Sequence, residues 1–478
     1  MSDSSSSKVE RELRSWISGR AAGTRLPSTR TLVREHEVGP GTVQSALRAL
    51  AAEGLVEARP GVGTFIATPR GTRLRASDYS WQAGALGARD SLGSVSGVDT
   101  VQKNTPDAIA LHVGYPDRNL LPETLVRQAL TRAARSEYAV AAAPRAGLTE
   151  LRSWFAHELA EHTPPTVSSP SAADVTVLPG TQSGLAAIFR AVADPGEPVV
   201  IESPTYWGAI LAAAQTGVQL VPVAGGTSGP DPVELDRILT RTGARIFYAQ
   251  PRYTNPTGVV WSPARRNDIL AVLEKHGAFL VEDDWAHDLG FTESAEQPPM
   301  AAHDDSGRII YLRSLTKSVS PALRIGAVIA RGPVRERILA NVAASSMYVS
   351  PVLQAAALDV VGQPSWRTHL KRLRGELRAR RDLMVEAVTK HLGQDALSSV
   401  PAGGLNLWVR LPDATDLRRL VSDCERAGVV IASGDALFPA EPAGRYTRLN
   451  FGGPDPGRFD EALSVIADCL AQQSAAPR

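Results

Sequence analysis

The sequence predicts two units of different fold class: a small winged helix-turn-helix (α+β) at the N-terminal end, then a large α/β domain on a mostly parallel sheet. Three observations predict this. Residues 1–76 hold 12 Lys/Arg against 7 Asp/Glu, although the whole chain has a formal net charge of only +1. Residues 76–104 are rich in Ser, Gly and Ala and show no sustained hydrophobic period. Beyond them, short apolar runs alternate with helical patterns almost to the end.

In the first unit, "KVERELRSWIS" spaces Val9, Leu13, Trp16 and Ile17 as one face of a helix. "LPSTRTLVREHE" reads as an extended Pro followed by a helix that Ser28 caps. "VGPGTVQSALRALAAEG" is a further amphipathic helix, with Pro40 suited to its first turn and Gly54 past its end. "LVEARPGVGTFIA" then gives two short strands around a Pro-Gly-Val-Gly turn. Three helices and a hairpin in this order form a winged helix, whose last helix enters the major groove of DNA. A basic end on a near-neutral chain agrees with a nucleic-acid partner.

This stretch resembles the DNA-binding domain of the GntR superfamily, in "LPSTRTL" and "TVQSALRALAAEGLVEARPGVGTF". The resemblance implies DNA contacts from Arg30, Thr42 and the wing residues Arg59, Gly61 and Gly63. The family often has Ser-Arg where this chain has Gly39-Pro40, which removes one expected arginine contact. Residues 77–104 read as a flexible linker, and residues 105–478 as the second unit.

At 478 residues the chain exceeds one ordinary domain, and with 43% hydrophobic residues it can bury a large core. Its two cysteines, Cys424 and Cys469, exclude a disulfide framework, and no metal is expected. No run reaches the length of a signal core or a membrane span, so a cytoplasmic protein without a membrane partner is expected.

In the second unit the strand candidates are "VTVLP", "VVIESP", "RIFYAQP", "AFLVEDD", "RIIYLRS" and "IGAVIA". In such sheets ligands gather beyond the carboxyl ends of the strands. The residues just past each strand are therefore informative. Gly180-Thr181-Gln182-Ser183-Gly184 open a helix and suit a phosphate. Tyr206 offers an aromatic face, Asn255 in "NPTG" a side-chain amide, Asp283 in "VEDDW" a carboxylate. Ser314 and Lys317 come next in "YLRSLTKSVSPALRIG", with Arg324 seven residues on. The chain has six lysines (Lys8, Lys103, Lys275, Lys317, Lys371, Lys390), so the setting of this one stands out. Together these groups are what pyridoxal 5′-phosphate requires. A lysine amine bonds its aldehyde, a carboxylate keeps the pyridine nitrogen protonated, and donors with a forked cation hold the phosphate.

Residues from about 110 to 470 resemble the fold-type I aminotransferases, with large and small subdomains. The resemblance assigns Lys317 as the catalytic, cofactor-bearing lysine and Asp283 to the pyridine nitrogen. It assigns Asn255 to the phenolic oxygen and Tyr206 to the ring face, with Thr181, Gln182, Ser314 and Arg324 at the phosphate. "YTRLNFG" matches the motif whose arginine clamps a substrate carboxylate, here Arg448, and "LHVGYPDRNLLP" the loop that lines the substrate side near Gly114. Arg252 in "QPRYTNPTG" is a further candidate anion contact.

A GntR-type winged helix, a linker and an aminotransferase-like domain in one chain resemble the MocR-type transcriptional regulators. That implies a head-to-tail homodimer on double-stranded DNA with two half-sites. It also implies a small amine, an amino acid or the cofactor itself as effector. Such chains usually carry Tyr two residues after the pyridine-nitrogen Asp, where this one has Trp285. The alternative from another class is a working aminotransferase that carries a fused DNA-binding domain. A weaker one is a large domain that has lost the cofactor and serves only dimerisation.

Overall fold

A computed structural model describes residues 5–67, 81–86, 107–291, 297–453 and 455–475. The chain divides into two compact units, Met1–Arg89 and Asp90–Arg478.

The first unit runs α1 (Ser5–Ser18), α2 (Thr29–Glu35), α3 (Pro40–Ala52), β1 (Val56–Arg59) and β2 (Gly63–Ile66). Ser28 caps α2, its side chain accepting from the Thr31 backbone N–H at 3.1 Å. Pro40 opens α3, where its missing N–H costs nothing. Val9, Leu13, Leu32, Val43 and Leu50 are buried together, so one core closes the three helices. β1 and β2 pair antiparallel, with Arg59 opposite Gly63. Gly61 and Gly63 have φ of 74° and 136°, the left-handed backbone that makes glycine the natural residue in this turn.

The expected linker, 77–104, lies outside the described residues except at 81–86, which form a short helix, α4 (Trp81–Leu86). "WQAGAL" holds four good helix formers and too few residues to show a period.

The second unit opens with β3 (Ile109–Ala110), α5 (Glu123–Ala134) and α6 (Thr149–Ala160). Strands and helices then alternate: β4 (Val175–Leu178), α7 (Thr181–Val192), β5 (Pro198–Ser203), α8 (Trp207–Thr216), β6 (Gln219–Ala224) and α9 (Pro232–Thr242). β7 (Ile246–Ala249), α10 (Pro263–His276), β8 (Phe279–Asp284), β9 (Ile309–Ser314) and β10 (Gly326–Ile329) complete a seven-stranded sheet ordered β4-β10-β9-β8-β7-β5-β6. β10 alone runs antiparallel to its neighbours. Its first residue therefore lies at the edge where the six parallel strands end. Most strand positions are buried on both faces, as a sheet covered by helices demands.

The rest of the unit is α11 (Pro333–Ser346), α12 (Pro351–Val361), the 28-residue α13 (Ser365–Leu392), β11 (Asn406–Arg410), α14 (Leu417–Arg426), β12 (Val429–Val430), β13 (Ala432–Ser433), β14 (Tyr446–Asn450) and α15 (Phe459–Ala475). β11, β14 and β13 form a separate antiparallel sheet, packed with α13, α14 and α15 around Leu377, Leu407, Leu449 and Phe451. This second sheet is the small subdomain. Cys424 and Cys469 are free and buried. Among the described residues, no helix is long and apolar enough to cross a membrane, and no group of acidic, His or Cys side chains could hold a metal ion.

Candidate functional site

One cavity, with about 740 Å³ of empty space including its open mouth, lies at the carboxyl edge of the seven-stranded sheet. The strand ends build it. β4 leads through Gly180 into the first turn of α7, so free backbone N–H groups and Thr181 face the cavity. Gly180 has φ 88°, and a side chain there would collide with the guanidinium of Arg324. Arg324 sits just before the reversed strand β10, which is how a residue so late in the order reaches this edge. Its own φ is 52°, a conformation that stores strain in a non-glycine residue. It makes no hydrogen bond or ion pair among the described residues.

Asp283, the last residue but one of β8, is 1% exposed. Its Oδ2 accepts from the Tyr248 hydroxyl at 2.7 Å and from Gln250 Nε2 at 2.8 Å, while Oδ1 is buried without a partner. Burial pushes this carboxyl up to about 6, against the pull of those two donors. β9 ends in Ser314, and the turn after it carries Lys317. The Lys317 amine donates to the Gly114 carbonyl at 2.7 Å and lies 3.5 Å from the centre of the Tyr115 ring. Burial, then the nearby Arg448 and Arg324, pulls that amine down to about 7. A large neutral fraction is therefore present near neutrality, as a nucleophilic amine needs.

The small sheet supplies the far wall. Arg448 on β14 is 2% exposed, and its Nη2 donates to the His112 carbonyl at 2.7 Å. Its Nη1 lies 3.5 Å from Asn255 Oδ1, and its Nε is buried without a partner. Burial lowers its pKa to about 10. No carboxylate pairs with it among the described residues. Asn450, two residues on, donates to the backbone carbonyls of Val113 and of Tyr115, the latter at 2.9 Å. That latch holds the loop carrying Gly114 against the sheet. Tyr206 lines the cavity from the cap of α8, its hydroxyl pKa raised by burial.

Thr181, Gln182, Tyr206, Asn255, Asp283, Ser314, Lys317, Arg324, Arg448 and Gly114 thus surround one space. Arg252 does not line it. Its guanidinium is buried and pairs with Asp284 at 3.2 Å, so it is committed as a structural ion pair rather than open to an anion. Trp285 lines the cavity, but its indole N–H donates to the Tyr253 carbonyl at 3.0 Å, so that N–H is spent on the backbone. Sequence reading missed Tyr115, Trp207, Gln250 and Asn406, which also line the cavity. Gln250 was within reach: it lies two residues beyond Tyr248, on the same side of an extended segment, and both meet Asp283.

In the first unit Arg30 is exposed on α2 and Thr42 half-buried in the first turn of α3. Arg59, at the end of β1, pairs with Glu57 and lies 4.6 Å over the Phe65 ring. A side chain at Gly63 would meet Arg25 Nε at 2.8 Å, so Arg25 packs on the wing itself.

Residues 106–466 match the aminotransferase class I and II family, and residues 5–66 match the bacterial regulatory proteins of the gntR family. The probable rhizopine catabolism regulatory protein MocR of Rhizobium meliloti is 29% identical over 93% of this chain and 89% of its own length. The uncharacterized HTH-type transcriptional regulator YdfD of Bacillus subtilis is 27% identical over 90% of this chain and 88% of its own. Among solved structures, LysN of Thermus thermophilus, an α-aminoadipate aminotransferase, superposes with a TM-score of 0.75. It is 24% identical, over 83% of this chain and 99% of that one, and so shows the fold. The family brings its cofactor, pyridoxal 5′-phosphate, and the gntR unit fits a DNA partner. The chain belongs to the aminotransferase class I and II family, fused to a gntR-family winged helix in the manner of the MocR-type regulators.

Proposed function

We propose that this protein is a cytoplasmic, ligand-responsive transcriptional regulator, in which the cavity of the second unit binds pyridoxal phosphate and a small amine or amino acid and thereby alters DNA binding by the first. The observation that carries the reading is an intact cofactor-type cavity in a chain that begins with a gntR domain.

The cavity's own groups fit the cofactor. Lys317, Arg324 and Arg448 stand against one carboxylate, Asp283, so the space asks for anionic partners. The orphan Oδ1 of Asp283 offers an acceptor to a pyridine N–H, which would also return this carboxyl to its ordinary range. The start of α7 and the unpaired Arg324 suit a phosphate, and Tyr206 suits a ring face. Bound pyridoxal phosphate supplies an aldehyde and an electron-withdrawing ring. Lys317 holds it through its amine, the Gly114 carbonyl orients that amine, and Asn255 and Arg448 face the ligand side.

In the first unit, Arg30, Thr42 and the wing at Arg59–Gly63 face duplex DNA, and a head-to-tail homodimer reads two half-sites. Residues 77–104 connect the two units.

The rival, a working aminotransferase, draws on the near-neutral amine of Lys317, which proton transfer needs as well. Trp285 weighs against it, because its N–H is spent on the Tyr253 carbonyl and no free donor stands at that position to hold the ring for turnover. The test is binding of the full-length protein to a duplex of its own upstream region, with and without pyridoxal phosphate and amines, alongside a transamination assay. The proposal expects salt-dependent binding that responds to an amine, with turnover slow or absent. Multiple turnover at ordinary enzyme rates, with DNA binding indifferent to amines, overturns it.

A further inference from the structure

The cavity is not used up by the groups that suit the cofactor. Once Asp283, Lys317 and Arg324 are assigned, Arg448 is the last charged side chain on its walls. The remaining walls include the rings of Tyr115, Trp207 and Trp285 and the amide of Asn406. Asn406 is on β11 and only 5% exposed, yet its Oδ1 has no hydrogen-bond partner. β11 and β14 pair with Asn406 opposite Asn450 and Trp408 opposite Arg448. Residues opposite one another share a face and alternate along the strand, so Asn406 and Arg448 look into the cavity from one side, a diagonal step apart. A buried amide without a partner and a buried guanidinium without a carboxylate, side by side, form a two-point seat.

We infer that Asn406 and Arg448 together select the ligand, an amine with a single carboxylate and an uncharged, hydrogen-bonding side chain. The inference rests on the proposal that the cavity binds pyridoxal phosphate and takes an amine. Arg448 takes the carboxylate as a fork, and Asn406 meets the polar end of the side chain. A second carboxylate would find no free cation, because Arg324 is committed to the phosphate. A cationic side chain would find no free acid, because Asp283 faces the pyridine nitrogen. The aromatic walls favour an extended, partly apolar stem.

The full-length protein loaded with pyridoxal phosphate is titrated with glutamine, glutamate, norleucine and lysine while its visible absorbance is followed. Glutamine should bind about tenfold or more tightly than either glutamate or norleucine, since only it satisfies both seats without an unpaired charge. In Asn406→Leu the advantage of glutamine over norleucine should vanish, while the absorbance of bound cofactor persists and certifies the fold. In Asn406→Asp, lysine should gain. Glutamate or lysine binding tightest to the unaltered protein overturns the inference. So does an Asn406→Leu variant that keeps the preference for glutamine, or the failure of every amine to change the absorbance. If the ranking holds while operator binding ignores the ligand, the sensor proposal fails and the ligand class stands.

Discussion

Asp283 and Asp284 are neighbours at the end of β8 and equally buried, but they point to opposite sides of the sheet. On the far side, Asp284 Oδ2 meets Arg252 Nη1 at 3.2 Å, His287 Nδ1 at 2.7 Å and the Tyr311 hydroxyl at 2.7 Å. Burial alone would raise this carboxyl, but Arg252 and then His287 outweigh it and hold it far below the usual range. The Oδ1 of each carboxylate is buried without a partner, but on the cavity side Asp283 Oδ2 meets two neutral donors rather than a cation, and this carboxyl is raised instead. One face compensates its charge internally, through Arg252 and His287. The other carries three cations and open hydrogen-bonding positions, which is costly to keep without a ligand.

The variant with the largest expected effect is Lys317→Ala, which should abolish covalent capture of added pyridoxal phosphate. Borohydride reduction and peptide mapping of the unaltered protein should place all label on Lys317. Label on any of the other five lysines breaks the contrast, since among the described residues Lys317 is the lysine that lines the cavity.

Removing the two carboxylates separately should give opposite phenotypes. Asp284→Ala leaves Arg252 buried without its partner and should cost about 3–5 kcal/mol of stability in chemical denaturation. Asp283→Asn, whose amide oxygen can still accept from Tyr248 and Gln250, should cost the cofactor-free protein about 1 kcal/mol or less, because it removes a buried charge that no cation pairs. It should instead weaken pyridoxal phosphate binding and alter its spectrum. Equal stability losses would erase the distinction between the faces.

A smaller effect separates both faces from the DNA-binding unit. Arg30→Ala should cost about 1–3 kcal/mol of operator affinity if it reads a base, or lower the salt slope by about one if it touches phosphate. Cofactor absorbance should not change, and a change there would contradict the division of labour.

The mildest test is pH. The lowered pKa of Lys317 means that its neutral form accumulates through pH 7. The rate of cofactor capture should rise about tenfold from pH 6 to pH 8 and then level off, whereas an ordinary lysine near 10.4 would keep gaining. A rate still climbing at pH 9 would place Lys317 in water rather than among Arg448 and Arg324.

Much of this was legible in the sequence. Strand cores such as "IFYA" and "AFLV" are apolar throughout, so their ends, and the polar residues placed there, could be found by position alone. Ser28 and Pro40 announced two helix starts through capping chemistry that is local to the chain. The role of Arg252 and the fate of the Trp285 N–H were not legible because their partners are remote: Asp284 lies 32 residues from Arg252, and so does Tyr253 from Trp285. Asn406 carried no signal, since a single amide in a strand becomes meaningful only once the paired strand sets Arg448 beside it. The helix at Trp81–Leu86 escaped because six residues hold less than two turns.

The central claim is that occupation of the cavity changes operator binding. One sample of full-length protein with pyridoxal phosphate and a fluorescent operator duplex tests it most directly, titrated with a responsive amine while absorbance and anisotropy are read together. The account predicts that both signals move with the same midpoint, and that Lys317→Ala keeps DNA binding but loses its response to the amine. A complete absorbance change with anisotropy unmoved would contradict it.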